Sequence, residues 1–130
     1  MRTIIVQTNY QGIHKYQDAP EQVAFLRNEH RHLFEVSVEI EVFHNDRDIE
    51  FFILKEQIDK WIQNHYKDDN NCWYMDNMSC EAVALYLARY LCNIYNDPTE
   101  RNKRNRMISV SVWEDGENGA SVTGRYRDEF

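Results

Sequence analysis

A chain of 130 residues suffices for one domain with a modest core, and residues 1–130 read as a single unit. Its 15 basic and 22 acidic residues leave a net charge of −7, which argues for a soluble protein and against general nucleic-acid binding. No apolar run approaches the roughly 18 residues of a membrane span, Met1-Arg2-Thr3 leads into a strand rather than a signal peptide, and Cys72, Cys80 and Cys92 have no CxxC spacing, so a cytoplasmic protein with reduced thiols is predicted.

Residues 3–10 read as a strand, followed by a loop holding Gly12 and Pro20, with His14 near the strand's end. The clearest strand covers about 30–43. Its even positions are His30, His32, Phe34, Val36, Val38, Ile40 and Val42, and its odd positions are mostly polar. Strand side chains alternate between faces, so a buried apolar row opens with two imidazoles. Imidazole is costly to bury without partners and is the commonest metal ligand. Two of them at i and i+2 on one face can point both rings at one ion.

Polar turn residues His44 to Asp48 follow. Phe51, Leu54, Ile58, Trp61 and Ile62 recur at helical spacing, and a polar loop from Lys67 to Asn71 ends that helix. Asn77 or Ser79 caps a second helix, with Glu81 in its first turn and Val83, Leu87, Tyr90, Leu91 and Ile94 as its stripe. Asp97-Pro98 closes it. Ile108, Val110 and Val112 alternate as a third strand, and Ala120 to Arg127 forms a hairpin partner across a turn from Asp115 to Gly119. The order is ββααββ, an α+β fold with an antiparallel four-stranded sheet and two helices on one face. Glu114 continues the buried parity of the third strand. Such a carboxylate is paired, reaches water at the sheet edge, or binds something.

Taken in order, His14, His30-Arg31-His32, Glu50 to Lys55, Met78 to Glu81 and Val112-Trp113-Glu114 resemble the 6-pyruvoyl-tetrahydropterin and 6-carboxy-tetrahydropterin synthase family. The resemblance spans nearly the whole chain and implies the tunnelling fold, whose subunits form a barrel as trimers or hexamers. It implies zinc held by His14, His30 and His32. It implies a ring-anchoring carboxylate at Glu114, with Ser79 and Glu81 matching the family's opening of helix two. The implied substrate is dihydroneopterin triphosphate, converted by a lyase in pterin or deazaguanine (queuosine-type) synthesis. Three neutral imidazoles leave the fourth position of a four-coordinate zinc open.

The departures fall on proton transfer. The family's usual Cys, four residues before the first His of the pair, is Leu26 here. Glu29 is the nearest carboxylate, although strand parity aims it away from His30, and Glu21 lies further off. The family's Asp-His pair lands on Asn64-His65 in one register, with Asp68 and Asp69 close by. His65, Glu29 and Asp69 are therefore the candidate proton-transfer residues. The alternative is a catalytically lapsed tunnelling-fold protein that binds zinc and a pterin or purine nucleotide. Cys80 at a helix start is either an activated thiol or a small packing residue. Arg101, Lys103, Arg104 and Arg106 form a solvated loop or a triphosphate clamp.

Overall fold

A computed structural model describes residues 1–68, 72–97, 99 and 104–130. Alternating apolar residues make two long strands, β1 (Arg2–His14) and β2 (His30–Val42). They pair antiparallel without a bulge, from Arg2 opposite Val42 to His14 opposite His30. β1 thus ends at His14 rather than Tyr10, and Gly12 lies inside it instead of in a loop. The reason is that β2 offers a backbone partner to every one of these residues. Between the strands a short 3-10 helix, Glu21–Arg27, occupies the segment read as loop.

Glu50 caps α1 (Phe51–His65) by accepting the Ile53 N–H at 2.9 Å. Leu54, Ile58, Trp61 and Ile62 are buried on its inner face, but Phe51, predicted to join them, is exposed at the first turn. Ser79 caps α2 (Cys80–Tyr95) by accepting the Ala82 N–H at 3.1 Å. Val83, Leu87 and Leu91 are fully buried along with Ala84 and Ala88, whereas Ile94 is exposed. Ile94 lies in the last turn of α2, beyond the buried stripe.

The polar segment after α1 contains two strands of two residues each, β3 (Lys67–Asp68) and β4 (Trp73–Tyr74), which are too short to show periodicity. β4 joins β1 in parallel through Gly12 and Ile13. β5 (Ile108–Glu114) pairs with β2, and β6 (Asn118–Gly124) pairs with β5. The sheet therefore has six strands in the order β3-β4-β1-β2-β5-β6, not four. The final hairpin is tighter than predicted. Asp115 and Gly116 both take left-handed backbone angles, and the Glu117 N–H closes the turn on the Glu114 carbonyl at 2.9 Å.

The helices cover the even-numbered face of β1 and β2, where Val6, Tyr10, Phe34, Val36, Val38 and Ile40 are buried. The opposite face is polar. There Ser109 pairs with Thr123 at 2.8 Å and Ser111 donates to Ser121 at 3.1 Å. Glu41 breaks the pattern, being 2% exposed on the polar row. It is held by the Met107 N–H at 3.0 Å and by the guanidinium groups of Arg104 and Arg125. Arg106 pairs with Asp48 at 2.8 Å and, with Arg104, lies over the Phe43 ring. Arg104 and Arg106 are thus engaged in internal ion pairs rather than forming a free clamp. Arg101 and Lys103 lie outside the described residues.

The Arg106 guanidinium and then the Phe43 N–H hold the Asp48 carboxyl at about 2, below the ordinary 3.8. The folded value is the lower one, so the stabilisation is present above about pH 4 and is lost as the pH falls towards 2. Asp48→Asn should lose about 1–3 kcal/mol at pH 7. It should also flatten the loss of stability between pH 4 and 2, as measured by urea unfolding at both ends.

Candidate metal centre

The β1–β2 register puts His14 directly opposite His30, and the two-residue strand repeat puts His32 beside them. Their ring centroids lie 4.6 Å (His14–His30), 5.3 Å (His14–His32) and 4.9 Å (His30–His32) apart. Phe34, fully buried beneath them, meets His14 and His32 edge-on at 5.2 and 6.0 Å. One nitrogen from each imidazole lies within 4.8 Å of the others, close enough to share one ion.

Every Nδ1 is already engaged. The Nδ1 of His14 donates to the Met78 carbonyl at 2.7 Å, that of His30 to the Asn28 carbonyl at 2.8 Å, and that of His32 to the Asp115 carboxylate at 2.6 Å. Carbonyls and carboxylates accept, so the ring proton sits on Nδ1 and each neutral ring keeps a bare lone pair on Nε2. Burial also lowers the pKa of His14, which favours its neutral form.

The Glu114 carboxylate stands against those lone pairs. Its Oε1 is 3.3 Å from the His14 Nε2 and its Oε2 is 3.8 Å from the His32 Nε2. With the rings neutral, two imidazole lone pairs face an anion at these distances, an arrangement that a shared cation completes. Three imidazole donors with a carboxylate alongside suit zinc, which binds nitrogen ligands with an open fourth position. Glu114 reaches this place within the same chain, because β5 pairs with β2 through Phe34 opposite Glu114.

A cavity of about 490 Å³ opens beside His14 and His30. His14, His30, Leu26, Ser79, Glu81 and Glu114 are among the residues that line it. Cys80 lines it as well, but its thiol is not activated. Burial and the neighbouring Glu114, to which the thiol hydrogen-bonds, push it up to about 12. A larger depression of about 920 Å³, lined by Glu35, Lys55, Asp59 and Trp113 among others, holds no histidine.

Among the described residues, Glu29 and His65 do not line the histidine cavity of their own chain. Glu29 accepts the Tyr74 hydroxyl at 3.1 Å on the surface. His65 ends α1 with its Nδ1 on the Trp61 carbonyl at 2.8 Å and its ring stacked on that of Trp61. Glu21 accepts Arg27 at 3.1 Å in the 3-10 helix. Asp69 lies outside the described residues.

This architecture has solved counterparts. The 6-pyruvoyltetrahydropterin synthase of Plasmodium vivax, in a catalytic-residue mutant with glutamate changed to cysteine, superposes with a TM-score of 0.66 at 18% identity, covering 96% of this chain and 98% of that one. The Plasmodium falciparum 6-pyruvoyl tetrahydropterin synthase gives 0.64 at 18%, with the same coverage. The chain has the tunnelling fold of these synthases. An uncharacterized protein of Wolinella succinogenes shares this fold with a TM-score of 0.61 at 13% identity, over 93% of this chain and 97% of its own. No protein-family model matches the sequence, and no curated protein does. Among the described residues, no helix is long and apolar enough to cross a membrane.

Within the tunnelling fold, three contributors to the site were not read as such from the sequence. Asp115 was read as turn material, although an acidic residue directly after Glu114 was the available signal. The Met78 and Asn28 carbonyls leave no signal, because every residue carries one. Gly12 matters for packing beneath the rings. A Cβ there would stand 2.6 Å from the Met75 Sδ and 2.7 Å from the ring of the fully buried Phe34. Gly12→Ala should therefore cost about 1–3 kcal/mol of folding stability. By displacing Phe34 it should also weaken divalent-metal retention, and thermal melts with and without zinc would report both effects.

Proposed function

We propose that this protein is a zinc-dependent synthase of the 6-pyruvoyl- or 6-carboxy-tetrahydropterin type. It would be a cytoplasmic lyase acting on dihydroneopterin triphosphate in pterin or queuosine-type deazaguanine synthesis. The observation that carries this reading is the grouping of three imidazoles, each with its Nδ1 engaged and one ring nitrogen of each within 4.8 Å of the others, beside a cavity that His14 and His30 line.

His14, His30 and His32 would hold the zinc. When bound, it supplies Lewis acidity toward substrate hydroxyl and carbonyl oxygens. Glu114 accepts paired N–H donors from the amino-pyrimidine edge of the ring, a charge-assisted bidentate geometry that also suits a guanine. Ser79 and Glu81, at the start of α2, border the same cavity. For proton transfer the fold accommodates a carboxylate, since the catalytic residue altered in the P. vivax protein is a glutamate. Glu29, His65 and Asp69 are this chain's candidates. Because Glu29 and His65 lie off the cavity of their own chain, assembly completes the site. β6 carries no charged residue or proline to guard its free edge, which favours strand-to-strand joining into a trimeric barrel or a hexamer.

One observation favours a second reading. Leu26 lines the cavity where the resembling family carries its catalytic Cys, so the chain would bind a pterin or purine nucleotide without turning it over.

Purified protein should hold about one zinc per chain by elemental analysis, and His32→Ala should lose most of it. Full zinc in the combined His14→Ala, His30→Ala and His32→Ala variant would refute the metal site. Glu114→Gln should weaken pterin binding by about 2–5 kcal/mol in calorimetry, because a donor replaces one acceptor. Incubation with dihydroneopterin triphosphate separates the two readings. Slow turnover that falls in His65→Ala supports the synthase, and tight binding with no product supports the lapsed binding protein.

A further inference from the structure

The three histidines differ in what holds them. His14 and His30 donate to backbone carbonyls, which no substitution at the acceptor residue removes. His32 alone donates to a side chain, that of Asp115. We propose that Asp115 is a positioning residue for the metal centre, holding His32 in the Nδ1–H tautomer and so keeping its Nε2 free for a cation. The proposal rests on the metal-binding reading of the site given above.

Asp115 follows the last β2–β5 pair, Phe34 opposite Glu114, and takes the place of the next strand residue. Its backbone N–H donates to the Leu33 carbonyl at 2.7 Å. Its Oδ1 accepts the Leu33 N–H at 2.8 Å, and its Oδ2 accepts the His32 Nδ1–H at 2.6 Å. Both carboxylate oxygens are therefore committed, one to the backbone and one to the imidazole of the preceding residue. Two fixed attachments to Leu33 leave Oδ2 little freedom, and the ring of His32 follows it.

The backbone supports the assignment. Asp115 sits at φ 53°, in the left-handed region, beside a glycine at φ 67°. Glycine takes that angle without steric cost, and aspartate is among the few side chains that tolerate it. Asp-Gly is an ordinary pair for such a hairpin turn, and the angle serves here to place both carboxylate oxygens on their donors. Its charge adds a second effect. A carboxylate on the distal nitrogen of a ligating imidazole makes the ring a stronger donor, and such outer partners change metal affinity by about 10–100-fold.

Asparagine and glycine both accept the left-handed angle, so Asp115→Asn and Asp115→Gly should keep the fold, checked by circular dichroism and thermal melting. Asparagine offers one acceptor where aspartate offers two. With its oxygen on the Leu33 N–H, its NH₂ faces His32 and imposes the opposite tautomer, with the proton on Nε2. In metal-free protein, the side-chain ¹⁵N shifts of His32 should report the Nδ1–H form for the wild type and a shift toward Nε2–H in Asp115→Asn. A merely structural role would move the melting temperature without moving that signature. Competition against a chromogenic chelator should show zinc affinity lowered about 10–100-fold in Asp115→Asn and reduced in Asp115→Gly. An unchanged His32 tautomer, or wild-type zinc affinity in Asp115→Asn, would overturn the role of Asp115. Absence of zinc binding by the wild type would instead overturn the metal reading of the site.

Discussion

Three ring protons, each fixed on Nδ1 by an acceptor outside the site, are the constraint on which the rest depends. A neutral imidazole has one proton and one lone pair, and directing the first decides where the second points. The Met78 carbonyl comes from the loop before α2, the Asn28 carbonyl from the residues before β2, and the Asp115 carboxylate from the turn after β5. Elements distant in sequence must therefore all be in place before the three imidazoles are oriented together, so the centre is a property of the completed fold rather than of the His-x-His motif.

Packing beneath the rings makes that convergence rigid. Phe34 has no exposed surface, carries the edges of two imidazoles and stacks on Tyr10 at 5.3 Å. Gly12 leaves the room that ring occupies. On the solvent side, the same sheet end meets the start of α2, which brings Ser79, Cys80 and Glu81 to the cavity wall. With its thiol held protonated against Glu114, Cys80 acts as a small wall residue rather than a nucleophile.

Much of this was legible in the sequence because strand parity is a strong signal. The even row of β2, its two leading imidazoles and the parity of Glu114 all fall on the helix-covered side of the sheet, and the Ser79 cap reads directly from its residue type. Other features had no local signature. β3 and β4 have two residues each, which no periodicity can reveal. Buried Glu41 is indistinguishable from its exposed neighbours Glu35 and Glu39 until Arg104, Arg125 and the Met107 N–H arrive from the far end of the chain. Phe51 and Ile94 fit the helical spacing yet face solvent, because each sits at the end of its helix where the sheet no longer covers it. Glu29 and His65 were chosen by their position in the sequence, and their bonds to Tyr74 and the Trp61 carbonyl hold them elsewhere on the surface.

The unbroken register of β1 and β2 sets where this chain can change length. Each strand alternates faces at every residue, so inserting or deleting a single residue within either one turns everything beyond it over. Between Arg2 and His14, such a change would carry His14 to the hydroxyl-lined side of the sheet, or else force Val6 and Tyr10 out of the core. The connection from Lys15 to Glu29 is under no such parity rule, and only Asn28, whose carbonyl holds His30, must keep its place relative to β2. Natural variation and engineered insertions should therefore collect in that connection, above the cavity mouth, while the two strands keep a fixed residue count.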